Sequence, residues 1–146
     1  MKASLLSLAL FFAVTASAQE IQRINPDGMT QPTGYSHVVR HNHLLFLSGQ
    51  VSVDAEGNLI GEGDIRAQVR QVLENMKIAL ASQGADFSNI VKVTIYTTDM
   101  DALLKTGDIS REYWTDGTPA NTVVQVERLA RPAFLIEIES TAIAPD

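Results

Sequence analysis

The sequence predicts an α+β domain of about six strands and two helices, with both helices on one face of the sheet. Two long patterns carry this. Apolar residues recur at the helical period between Asp64 and Gln83, and they alternate at the strand period between Ile90 and Thr98. Short β-type runs on either side supply the remaining strands. A length of 146 residues fits one domain, and a composition 45% hydrophobic and 19% charged excludes a disordered chain. Cysteine is absent, which excludes disulfides, zinc–thiolate and iron–sulfur sites and a cysteine nucleophile. The formal net charge is −6, and no basic run exceeds a dipeptide, so no nucleic-acid partner is expected.

The first residues read as an address. Lys2 is followed by an apolar run from Leu5 to Val14 and then by Ala16-Ser17-Ala18, a small-x-small cleavage pattern before polar Gln19-Glu20. The run is shorter than the ~20 residues that span a bilayer. Residues 1–18 are therefore expected to be a signal peptide that is removed. The domain would then occupy residues 19–146, exported to a periplasm, with no membrane association after cleavage.

Ile21 to Gly34, with Pro26, Gly28 and Pro32, reads as an extended arm with turns. Ser36–Arg40 and Leu44–Ser48 read as strands joined by a turn at Arg40-His41-Asn42-His43. Asp54-Ala55-Glu56-Gly57-Asn58 is a further turn. In the first helix, Ile65, Val69, Val72, Leu73, Met76, Ala79 and Leu80 share a face, Asp64 is placed to cap the start and Gly84 to end it. In the strand at Ile90–Thr98, Val91, Val93 and Ile95 are expected on one face, and Lys92, Thr94 and Tyr96 on the other. Asp99–Trp114 reads as a second helix with Met100, Leu103, Leu104 and Tyr113 or Trp114 inward, weakened at Gly107. Thr122–Arg128 and Phe134–Ile143 are the last strands. Two helices cover one sheet face only, yet Leu44, Leu45, Phe46 and Leu47 make one strand apolar on both. A homo-oligomer is expected to bury the uncovered face.

Few side chains can carry chemistry. Glu137 and Glu139 alternate with Phe134, Ile136 and Ile138, so the two carboxylates share the face away from the helices. Partial burial there would raise a carboxylate pKa and suit a general base, while a solvated face or an interface ion pair is the plainer alternative. His37, His41 and His43 cluster, but two of them fall in a turn and no carboxylate completes a ligand set, so no metal is expected. Gly49 in Ser48-Gly49-Gln50 permits either close approach of a ligand or a bulge. Tyr35 and Trp114 could line a pocket or pack in the core.

Several segments together resemble the Rid family, the RidA/YjgF group of reactive-intermediate deaminases. They are Gly34-Tyr35-Ser36-His37, Leu47-Ser48-Gly49-Gln50-Val51, the helix from Gln68 to Asn75, Val91 to Tyr96, Gln125 to Leu129 and Ile136 to Glu139. The likeness runs from about Ile24 to Ala144. It implies a chorismate-mutase-like single domain with a mixed sheet, assembled as a homotrimer with a small-molecule site in each cleft between subunits. It implies hydrolysis of 2-imino acids or their enamine tautomers to 2-keto acids and ammonia, without metal or cofactor. By this resemblance Glu137 positions the attacking water, and Tyr35, Gly49 and Asn121 bind substrate. Asn121 stands where the family carries a carboxylate-binding arginine, and Gly107 where it carries a pocket asparagine. Arg128 lies seven residues from Asn121, on the opposite strand face. Arg131, in a loop, is the alternative cation. Two functions stay open: an exported hydrolytic deaminase of imines or enamines with weak activity on 2-imino acids, or a non-catalytic trimer that binds a small molecule or a protein on the same scaffold.

Overall fold

A computed structural model describes residues 20–145. The leader expected over residues 1–18 lies outside these. Six strands form one mixed sheet in the order β1-β2-β3-β6-β4-β5, with β1 at Gln22–Ile24, β2 at Val38–His41, β3 at Leu44–Gln50, β4 at Ile90–Thr97, β5 at Ala120–Gln125 and β6 at Ile136–Ile143. Every pairing is antiparallel except β4 with β5. The arm thus begins with a short strand on the sheet edge. His41 belongs to β2, and the hairpin turn is only Asn42-His43, with Asn42 in the left-handed conformation at φ 57° that such two-residue turns require.

Helix α1 spans Ile65–Ala81, and the Asp64 carboxylate accepts from the backbone N–H groups of Arg66 and Ala67 at its start. Val69, Val72, Leu73, Met76, Ala79 and Leu80 are all buried against Leu45, Leu47, Ile136 and Ile138 of the central strands. The chain leaves the helix through Gly84 at φ 68°, with the Ala85 N–H donating back to the Leu80 carbonyl.

The second helical stretch is broken. It comprises α2 at Met100–Leu103, a 3₁₀ turn at Leu104–Thr106 and α3 at Gly107–Tyr113. The tighter turn changes the phase of the face. Leu104, expected inward, is 73% exposed, and Ile109 takes the core position instead. Gly107 opens α3 rather than weakening the middle of one helix. Two bidentate pairs, Arg66 with Asp108 and Arg70 with Glu112, join α1 to α3. The i, i+4 spacing is the same on both helices, so one turn of each registers against the other.

A bulge corrects one expectation in β4. Ile90 pairs with Ala142 and Lys92 with Thr141, leaving Val91 as the extra residue. Ile90 is consequently buried and Val91 exposed, whereas Val93 keeps its expected inward place. Strand β5 is shorter than expected: it ends at Gln125, and all six of its residues are exposed.

Candidate active site

Strand alternation places the two carboxylates. Ile136 and Ile138 are buried on the helix side of β6, so Glu137 and Glu139 face the uncovered side. Next to them, β3 carries a bulge: Leu47 pairs with Ser140 and Gln50 with Ile138, so Ser48 and Gly49 together oppose Glu139. The bulge brings the Gly49 backbone against Glu137. A Cβ on Gly49 would sit 1.9 Å from the Glu137 Oε1 atom. The bulge reading of this glycine therefore holds, and the group that comes close to its backbone is the chain's own carboxylate.

Glu137 is half-buried and accepts no hydrogen bond among the described residues. Burial, reinforced by the like charge of Glu139, holds its carboxyl above the usual carboxylate range. Glu139 accepts from the Tyr96 hydroxyl at 3.3 Å, which leaves Glu137 as the carboxylate poised to take a proton.

Glu137 and Gly49 wall a cleft of about 640 Å³ together with Tyr35, Ser48, Arg131 and Phe134. The Tyr35 ring stands edge-on to His37, centroids 5.5 Å apart. His37 is itself buried, and its Nε2 lies 2.8 Å from the Thr30 carbonyl, so this nitrogen carries the proton and donates. His37 thus braces the aromatic wall, while His41 ends β2. Trp114 is not at the cleft. It is partly buried and packs edge-on against Phe87 at 5.0 Å, at the margin of the core.

Two buried amides that sequence reasoning passed over position the walls. Gln68 donates to the carbonyls of Gly61 and Ala133, and its Oε1 accepts from the Leu135 N–H at 2.8 Å. Asn75 donates to the carbonyls of Val51 and Val53. These residues are seven apart on α1, within its apolar face, and each ties a cleft-forming loop to the helix. The signal available was a pair of amides at i, i+7 among core residues, where a polar group persists only if its hydrogen bonds are met.

The structure gathers Tyr35, Gly49 and Glu137. It does not bring Asn121 to them. Asn121 lies on edge strand β5, paired with Val93, two strands away from Glu137. Because Val93 is buried on the helix side, this register puts Asn121 on that face too, opposite the carboxylates. Gly107, at the start of α3, is likewise absent from the cleft wall.

Fold and site together define an α+β protein with a half-buried carboxylate in the wall of an open cleft. The family model described as endoribonuclease L-PSP matches residues 28–144, and the chain belongs to this family, the RidA/YjgF or Rid group. A RutC family protein of Pyrococcus horikoshii is 39% identical over 113 residues, covering 77% of this chain and 89% of that one. The human 2-iminobutanoate/2-iminopropanoate deaminase is 31% identical over 109 residues, covering 75% and 79%. Among solved structures, the Rid family protein YyfA of Yersinia pestis superposes with a TM-score of 0.79 at 31% identity, over 85% of this chain and 99% of that one. The fold is the chorismate-mutase-like one of these proteins.

Proposed function

We propose that the protein is a hydrolytic deaminase of imine or enamine intermediates. The carrying observation is Glu137, a half-buried carboxylate in the cleft wall whose proton affinity is raised by burial and which lies against the Gly49 backbone where a side chain would collide with it. Similarity to deaminases at about 31% identity supports the same reading. In this mechanism Glu137 takes a proton from water as its oxygen adds to the imine carbon. With the imine nitrogen protonated at the outset, this gives a tetrahedral carbinolamine; Glu137 returns its proton to that nitrogen and then takes the hydroxyl proton as the carbonyl forms and ammonia leaves. No cofactor is required, and no nucleic-acid partner is proposed.

The working unit in this proposal is a homotrimer. Asn121 and Gly107 lie away from Glu137 within one chain, so a neighbouring subunit would bring them to the cleft. Asn121 supplies no positive charge, so a substrate carboxylate would have to be held by another group. That substitution also favours a second reading, a trimer that binds a small molecule or a protein without catalysis. Export is proposed on the sequence alone, and N-terminal sequencing of exported protein beginning near Gln19 would support it.

The deciding experiment is ammonia release from freshly generated imines by natural protein and Glu137→Gln. A loss of about 10²–10⁴-fold is expected, the range for a general base. The natural rate should rise as pH passes upward through the raised Glu137 pKa, because only the ionised carboxylate accepts a proton. Natural protein without activity on any imine would leave the binding reading.

A further inference from the structure

Arg131 is the one cation among the residues lining the cleft. It lies in the loop before β6, whose end Gln68 ties to α1 through Ala133 and Leu135. Its guanidinium stacks over the Phe134 ring, 5.3 Å from the centroid, and Nη1 donates to the Gly57 carbonyl at 3.3 Å. Among the described residues that is the only hydrogen bond of the guanidinium and no ion pair involves it, although Glu56 lines the same cleft. A guanidinium has five N–H donors in a planar fork. Stacked, oriented and mostly unengaged, this one is prepared for a planar anion.

We propose that Arg131 binds the carboxylate of an anionic imine in this cleft, and so takes over the task that Asn121 cannot perform. The substrate class is then an imine or enamine that bears a carboxylate, with Arg131 fixing that end and Glu137 delivering water to the C=N carbon. The reaction balances as one imino acid and one water giving one keto acid and one ammonia, with no oxidant or metal. The hydrolytic half rests on the deaminase reading, whereas anion binding at Arg131 does not.

The test therefore has two arms. In the first, 2-oxobutanoate and its neutral carboxamide are titrated by NMR into natural protein, Arg131→Met and Arg131→Lys. Natural protein should prefer the carboxylate, Arg131→Met should lose about 10–100-fold in affinity for it, and Arg131→Lys should fall between, because it keeps the charge but not the fork. In the second, imino acid is generated in place by an amino-acid oxidase, and kcat/KM is measured for the same proteins. Carboxylate binding that depends on Arg131, without hydrolysis by natural protein, would support the anion site and refute the deaminase reading. Hydrolysis that survives Arg131→Met unchanged would do the reverse. Absence of carboxylate preference in natural protein would overturn the proposal, and thermal unfolding of each variant guards against loss of fold.

Discussion

At the residue scale the site turns on the contact between Gly49 and Glu137. Gly49 does not have a positive φ, so backbone strain does not require glycine there. Space does, since an alanine Cβ would sit within 1.9 Å of the carboxylate oxygen. The obstructing atoms are the end of a flexible side chain, which can swing aside. Gly49→Ala is therefore expected to fold with nearly natural stability but to lose about 100-fold in activity, the effect of misplacing a reacting group by an ångström. Unaltered ammonia release would show that the position of Glu137 is immaterial. The raised Glu137 pKa has a second consequence. The folded state holds this proton more tightly than the unfolded chain, so the stability contribution falls as pH rises from the ordinary carboxylate value to the raised one. Glu137→Gln should melt slightly higher than natural protein at neutral pH, and the difference should vanish once pH falls below the ordinary carboxylate range. Equal melting curves at every pH would contradict a perturbed carboxylate.

At the element scale, α1 is both the core and the frame of the site. Its Gln68 is completely buried and satisfies two carbonyls and one N–H from two loops. Gln68→Ala would strand those groups and leave a cavity, with an expected loss of roughly 2–4 kcal/mol. Chemical denaturation would measure it, and a loss below ~1 kcal/mol would mean that water or a shifted loop replaces the amide. The apolar face of α1 and its Asp64 cap were legible because period and cap are local properties of sequence. The facing of Glu137 and Glu139 was legible because strand alternation is local too. The bulges at Gly49 and Val91 were not, since an inserted residue shifts the alternation without marking where. The 3₁₀ turn that exposes Leu104 and buries Ile109 escaped for the same reason. Arg131 was visible only as a candidate, because nothing periodic says which way a loop residue faces.

At the scale of the whole molecule the sheet is unfinished. Leu44, Phe46 and Ile143 are 42%, 46% and 48% exposed, and the register sets Leu44 beside Ile143 and Phe46 beside Thr141. They form the apolar end of the face whose other end carries Glu137 and Glu139. Strand β5 has one unpaired edge and is exposed on both faces, with Val123 and Val124 on opposite ones. Fully burying a large apolar side chain contributes ~1.5–3 kcal/mol, so a few such positions repeated in each copy can hold subunits together. Light scattering on the natural protein is expected to give three chain masses at micromolar concentration. Phe46→Glu should reduce this to one, because it adds a charge to the apolar patch on the same face as Glu139. Since Phe46 is exposed in the single chain, the fold should survive, with far-ultraviolet circular dichroism unchanged. Deaminase activity should fall with the trimer, because Asn121, on the sheet face opposite Glu137, would reach the cleft only from a second copy, whereas Arg131 and Glu137 stay together in one chain. A natural protein that scatters as a monomer would remove the trimer proposal. A Phe46→Glu monomer with full activity would show instead that the cleft of a single chain suffices.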